Sequence, residues 1–83
     1  MGCTVGAAPV EILPAQEERV GLCATNYGRV DVRLHDGSGD GACVPAGGCL
    51  VEPYWSGRVV AQTVRGRARI VVTPIFGEPA PLR

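Results

Sequence analysis

Four cysteines and one histidine, Cys3, Cys23, Cys43, Cys49 and His35, are the residues of this chain best suited to soft-metal or redox chemistry. A structural zinc site favours thiolates roughly two to four residues apart, because a short turn then aims both sulfurs at one ion. Here the cysteines are separated by twenty, twenty and six positions, so no such pair exists. Cys43 and Cys49 flank Pro45-Ala46-Gly47-Gly48 and are the candidate disulfide, since a turn could bring them within bonding reach. The simpler reading treats all four as small apolar side chains. Asp36-Gly37-Ser38-Gly39-Asp40-Gly41 has the spacing with which a calcium loop begins. An EF-hand loop needs a bidentate Glu at its twelfth position, and the twelfth residue from Asp36 is Gly47. His35 has no titratable partner that a motif would place beside it. No catalytic, cofactor-binding or metal-binding constellation assembles, and the expectation is a protein that is not an enzyme.

Two other groups of side chains could recognise a partner. Tyr54-Trp55-Ser56-Gly57 is the one aromatic cluster, suited either to a binding hot spot or to a lid on a thin core. Arg65, Arg67 and Arg69 form the concentrated basic patch. Arginine is enriched at protein interfaces, where its planar fork meets carboxylates. A nucleic-acid site would interleave it with stacking aromatics, and none adjoins it in the sequence. The formal net charge is zero, which disfavours a general electrostatic grip on nucleic acid. No apolar run reaches the roughly 18 residues of a membrane span, and no signal-peptide pattern opens the chain.

The elements that must position these groups are strands. The composition is 46% hydrophobic but 5% aromatic, so Val, Ile, Leu and Ala must build the core, and Val dominates. β-Branched residues suit a pleated, half-buried surface. Twelve Gly and seven Pro interrupt any long helix. An 83-residue chain buries only about 60–65% of its unfolded surface, so one thin-cored domain is expected. Strands are predicted over residues 9–13, 19–26, 29–35, 43–44, 49–53, 58–64 and 68–74. Proline-marked corners at Pro14 and Pro45 interrupt them. Over 19–26, Val20, Leu22 and Ala24 are expected inside, with Arg19, Gly21, Cys23 and Thr25 outside. Residues 19–26 and 29–35 are expected to pair as a hairpin about Asn26-Tyr27-Gly28, and 58–64 with 68–74 about Arg65-Gly66-Arg67. Residues 1–8 read as a flexible N-terminal arm, 9–74 as the β domain, and 75–83 as an extended Pro-rich tail. The expected fold is all-β, a small antiparallel β-sandwich or barrel of about six to seven short strands.

The ordered set of these elements resembles a known group. It comprises a strand ending Ile12-Leu13-Pro14, a polar link with Arg19 leading into an apolar strand that ends at Asn26, and Val30-Asp31-Val32. A Gly-rich loop, Pro45-Ala46-Gly47-Gly48, an aromatic-Ser56-Gly57 corner, Val59-Val60-Ala61-Gln62 and Ala68-Arg69-Ile70-Val71-Val72-Thr73 follow. Over residues 9–74 the pattern is similar to the small β-barrel or β-sandwich head decoration (cement) proteins of tailed bacteriophages. The resemblance implies a structural virion protein on the capsid surface, made in the host cytoplasm, that binds the major capsid protein as a homo-oligomer, trimer or dimer. It implies that Cys3, Thr4 and Val5 of the arm, Tyr54 and Trp55, Arg65, Arg67 and Arg69, and Phe76 grip the shell. The four cysteines and Glu17-Glu18 depart from the group's pattern. A carbohydrate- or receptor-binding β module using Tyr54 and Trp55, and a small nucleic-acid-binding barrel using the arginines, are the alternatives.

Overall fold

Short Val-rich runs separated by Gly and Pro can only satisfy their backbone groups by pairing with one another, and this is what the chain does. The structure, a computed structural model, describes residues 2–37, 41–53 and 55–77. Eight strands are found: β1 (Gly2–Val5), β2 (Val10–Leu13), β3 (Arg19–Asn26), β4 (Val32–His35), β5 (Gly41–Val44), β6 (Cys49–Pro53), β7 (Val59–Thr63) and β8 (Ala68–Phe76). They form two four-stranded antiparallel sheets, ordered β1-β8-β3-β6 and β2-β7-β4-β5. The fold is the expected small all-β sandwich.

The core lies between the sheets. Val5, Leu22, Ala24, Ala68, Ile70 and Val72 come from the first sheet and meet Ile12, Leu13, Val32, Leu34, Val44, Val59 and Ala61 from the second. Along β4 and β8 the side chains alternate, so Val32 and Leu34, and Ala68, Ile70 and Val72, point inward. Only Trp55 among the described aromatics packs against this cluster, at its rim.

The strand partners differ from the expected hairpins. β3 and β4 lie in opposite sheets, as do β7 and β8. Every connection except β4 to β5 crosses between sheets. At the first crossing Asn26 is buried, and its amide Nδ2 donates to the carbonyls of Val30 (2.8 Å) and Val44 (3.1 Å). Its Oδ1 accepts from the Gly28 amide at 2.8 Å. One side chain thereby fixes the departing chain and ties it to β5, where a hairpin turn would have folded it back on β3. At the β7–β8 crossing the Thr63 hydroxyl donates to the carbonyl of Gly66 (2.8 Å), which sits at φ +78° where glycine is favoured. The corners at Pro14 and Pro45 also carry the chain from one sheet to the other.

Residues 2–5, expected within a flexible arm, are instead the edge strand β1. They pair with Ala68–Val71 of β8 and bury Val5 at 1% exposure. Without them the first half of β8 would present an unpaired edge, and a small-residue strand suffices to cover it. β8 extends to Phe76, so Ile75 and Phe76 of the expected tail are strand residues. Residues 78–83 lie outside the described residues.

Candidate functional site

The outer face of the first sheet is set by the residues that alternate with its core. Leu22, Ala24, Ile70 and Val72 point in, so Cys23, Thr25, Val71 and Thr73 point out. The register aligns Cys23 with both Val51 and Thr73, and Thr25 with both Cys49 and Val71. Ile75 continues the row along β8, while Gly2 and Thr4 extend it onto β1. The result is a surface made mainly of β-branched residues and two thiols, with Val51 exposed at 60% and Ile75 at 38%. Among the described residues, Arg69, beside Thr4 at one corner, is its sole charge.

The outer face of the second sheet is polar and internally bonded. His35 Nε2 and Gln62 Oε1 are 2.6 Å apart, and the Gly37 amide donates to His35 Nδ1 at 3.0 Å. That acceptor role for Nδ1 places the ring proton on Nε2, which donates to Gln62. Gln62 Nε2 in turn donates to the Ala7 carbonyl at 3.2 Å. Arg58 donates to the Asp36 carbonyl (3.1 Å) and pairs with Glu11 at 3.5 Å. Val60 lies between its register partners Glu11 and His35 and is buried. The histidine thus brackets Gln62 to the turn at Gly37.

Arg19, expected on the outside, is fully buried. A register shift between Arg19 and Gly21 breaks the alternation, so Val20 faces solvent and Arg19 turns in. Its guanidinium donates to the carbonyls of Trp55 (3.0 Å, from Nε), Pro14 (2.7 Å, from Nη1) and Gly57 (from Nη2). No described carboxylate pairs with it, and burial draws its pKa below the ordinary value. Arginine stays protonated all the same, with carbonyl dipoles taking the place of a counter-ion. The Gln16 amide also donates to the Ser56 carbonyl at 2.9 Å. Arg19 therefore straps the Pro14 corner to the 55–57 loop. The signals in the sequence are Pro14, which leaves a corner carbonyl without a ladder partner, and Gly21, which suits a bulge.

The structure separates the expected partner-binding residues into two groups. Arg69 lies opposite Thr4, with Arg65 and Arg67 on the neighbouring crossing, at the end of the sandwich where Val5 and Thr63 also lie. Trp55 and Phe76 lie at the other end; the Trp55 amide donates to Val20, and Phe76 pairs with Arg19. Cys3 packs against the core, Val5 is part of it, and Thr4 is exposed. Trp55 is half-buried and its indole N–H donates to the Arg58 carbonyl at 3.2 Å. Tyr54, and residues 38–40 of the loop with calcium-like spacing, fall outside the described residues. Cys43 and Cys49 are free thiols, contrary to the candidate disulfide, because β5 and β6 belong to different sheets and present them on opposite outer faces. Tyr27, read only as a turn residue, is 65% exposed, and its amide donates to the Arg69 carbonyl at 2.8 Å. An aromatic thus stands among the arginines after all.

Fold and surfaces together define a small antiparallel β-sandwich with one outer face charged only at its Arg69 corner, one polar outer face and a buried arginine strap. Comparison with protein-family models, curated proteins and solved structures gives no match. Among the described residues, no helix is long and apolar enough to cross a membrane.

Proposed function

We propose that this chain is a non-enzymatic cement protein that attaches to a repeating protein shell through the outer face of its β1-β8-β3-β6 sheet. Its setting in this reading is the tailed-phage head, with the major capsid protein as partner, as the sequence resemblance implies. The observation that carries the proposal is the contrast in charge between the outer faces. Interface centres are depleted of charged groups, because an unpaired charge taken from water costs several kcal/mol. Val51, Val71, Ile75, Thr25 and Thr73 lose water cheaply, and Cys23 and Cys49 add compact apolar area. Many copies on a lattice multiply a weak individual contact, and a subunit that touches two capsomers resists their separation. The glycan-binding alternative draws no support from Trp55, whose indole is half-buried and already bonded.

The test is co-sedimentation with shells assembled from the capsid protein. The double substitution Val51→Glu and Thr73→Glu places two carboxylates on the proposed contact and is expected to weaken shell binding by about 100-fold, equivalent to about 2.7 kcal/mol. Cys43→Glu, on the opposite outer face, is expected to leave binding unchanged. Equal binding by both variants, or no binding by the parent chain, refutes the assignment.

A further inference from the structure

The zero net charge of this chain is divided unequally along the sandwich. The register defines two ends. At one, Asn26, Val32, Val44, Thr63 and Ala68 begin or finish their strands; at the other, Leu13, Arg19, His35, Val59 and Phe76 do. Among the described residues, Arg29, Arg33, Arg65, Arg67 and Arg69 lie at or next to the first end against one carboxylate, Asp31, for a net charge of +4. Glu11, Glu17, Glu18, Asp36 and Glu52 lie at the second against Arg19 and Arg58, for a net charge of −3. The nine residues of β8 separate the ends by about 25–30 Å at the usual rise of a strand. That distance is about three Debye lengths at physiological salt, so neither end neutralises the other.

Each end also carries exposed apolar side chains amid its charges. Tyr27 (65% exposed) and Val64 (79%) stand among the arginines, and a cleft of about 370 Å³ opens between 29–31 and 64–65. Phe76 (49%) and Val20 (43%) stand beside Glu17 and Glu18. An apolar centre with a charged rim is the anatomy of a protein–protein interface. Here the two rims are of opposite sign and belong to one chain.

We propose that the arginine end of one copy docks against the glutamate end of the next, a head-to-tail contact between copies of this chain. Such a contact is heterologous, so it closes into a ring where the rotation permits and otherwise propagates as a row. A polyanion such as nucleic acid would meet the same arginines and Tyr27. The acidic end repels it, though, whereas a second copy satisfies both ends. The proposal is independent of shell attachment, which uses a different surface.

Sedimentation velocity of the full chain, at concentrations up to about 1 mM, tests it. Self-association is expected at about 30 mM salt and is expected to weaken at least tenfold at about 500 mM. The variants Arg65→Glu/Arg67→Glu and Glu17→Arg/Glu18→Arg should each sediment as monomers, since each has lost one of its complementary ends. Mixed one to one, they retain one intact end apiece and should form a heterodimer. A parent chain that stays monomeric at low salt overturns the proposal without need of either variant. So does association by either variant equal to the parent's, or a mixture of folded variants that stays monomeric. Salt-sensitive oligonucleotide binding that Arg65→Glu/Arg67→Glu abolishes, with no change in parent mass, assigns the end to nucleic acid instead.

Discussion

Where β7 and β4 turn outward, Gln62, His35 and their neighbours bond to one another and to nearby backbone. Where β8 and β3 turn outward, Val71, Thr73, Cys23 and Thr25 present methyls, thiols and hydroxyls to solvent. Both sheets bury comparable aliphatic residues on their inner sides, so the difference is not one the core requires. In this molecule the polar side chains of one outer face are committed to one another, while the face proposed for a partner carries aliphatic side chains, hydroxyls and two free thiols. Under the proposed shell attachment, absence of charge marks the contact surface better than reactive residue types do.

The contrast can be broken where the two sheets are strapped together. Arg19→Ala strands the carbonyls of Pro14, Trp55 and Gly57 inside the protein and leaves a cavity. It is expected to cost about 3 kcal/mol or more of unfolding free energy, read from urea denaturation, with both outer faces lost in one transition. Lysine at this position should recover little, since it lacks the three-way fork. A substitution confined to one sheet sharpens the contrast. A Cβ at Gly21 would stand 2.5 Å from the Glu52 carbonyl oxygen, so Gly21→Ala must push β6 away from β3. We expect a loss of about 1–3 kcal/mol, with faster hydrogen exchange in β6 and none of that change in β4 and β5. The smallest effect belongs to the bonded face. Gln62→Ala removes partners of His35 and Ala7 in a half-exposed setting and should cost about 1 kcal/mol or less in thermal melts. Shell binding by that variant should match the parent's.

Much of the strand content was legible because burial on one side imposes a period of two. Val32 with Leu34, and Ala68 with Ile70 and Val72, declare their inner face without reference to any neighbour. Pairing was less legible, since alternation states which side a residue faces and not which strand lies beside it. Asn26-Tyr27-Gly28 reads as a tight turn, yet the buried Asn26 amide makes it a crossing by reaching Val44, eighteen residues away. β1 is not legible in the sequence, because Cys3, Thr4 and Val5 flanked by glycines carry too little apolar pattern, and their order comes from β8. Alternation with Val20, Leu22 and Ala24 sets Arg19 outside, and only the shifted register at Gly21 reverses it. For the candidate surface, residue identities were visible. That Cys23, Val51 and Thr73 form one row required knowing that β3 lies between β6 and β8.

The pairing of β1 with β8 has a consequence for how the protein comes into being. Residues 2–5 find their ladder partners only after residues 68–71 have left the ribosome. β3 likewise waits for β6 and β8, and β4 with β5 is the one pair that can zip locally. Sheets assembled from such distant segments condense in about milliseconds to seconds, not microseconds. Until β8 arrives, the nascent chain carries unsealed strand edges rich in valine, and protection from neighbouring nascent chains matters most during that interval.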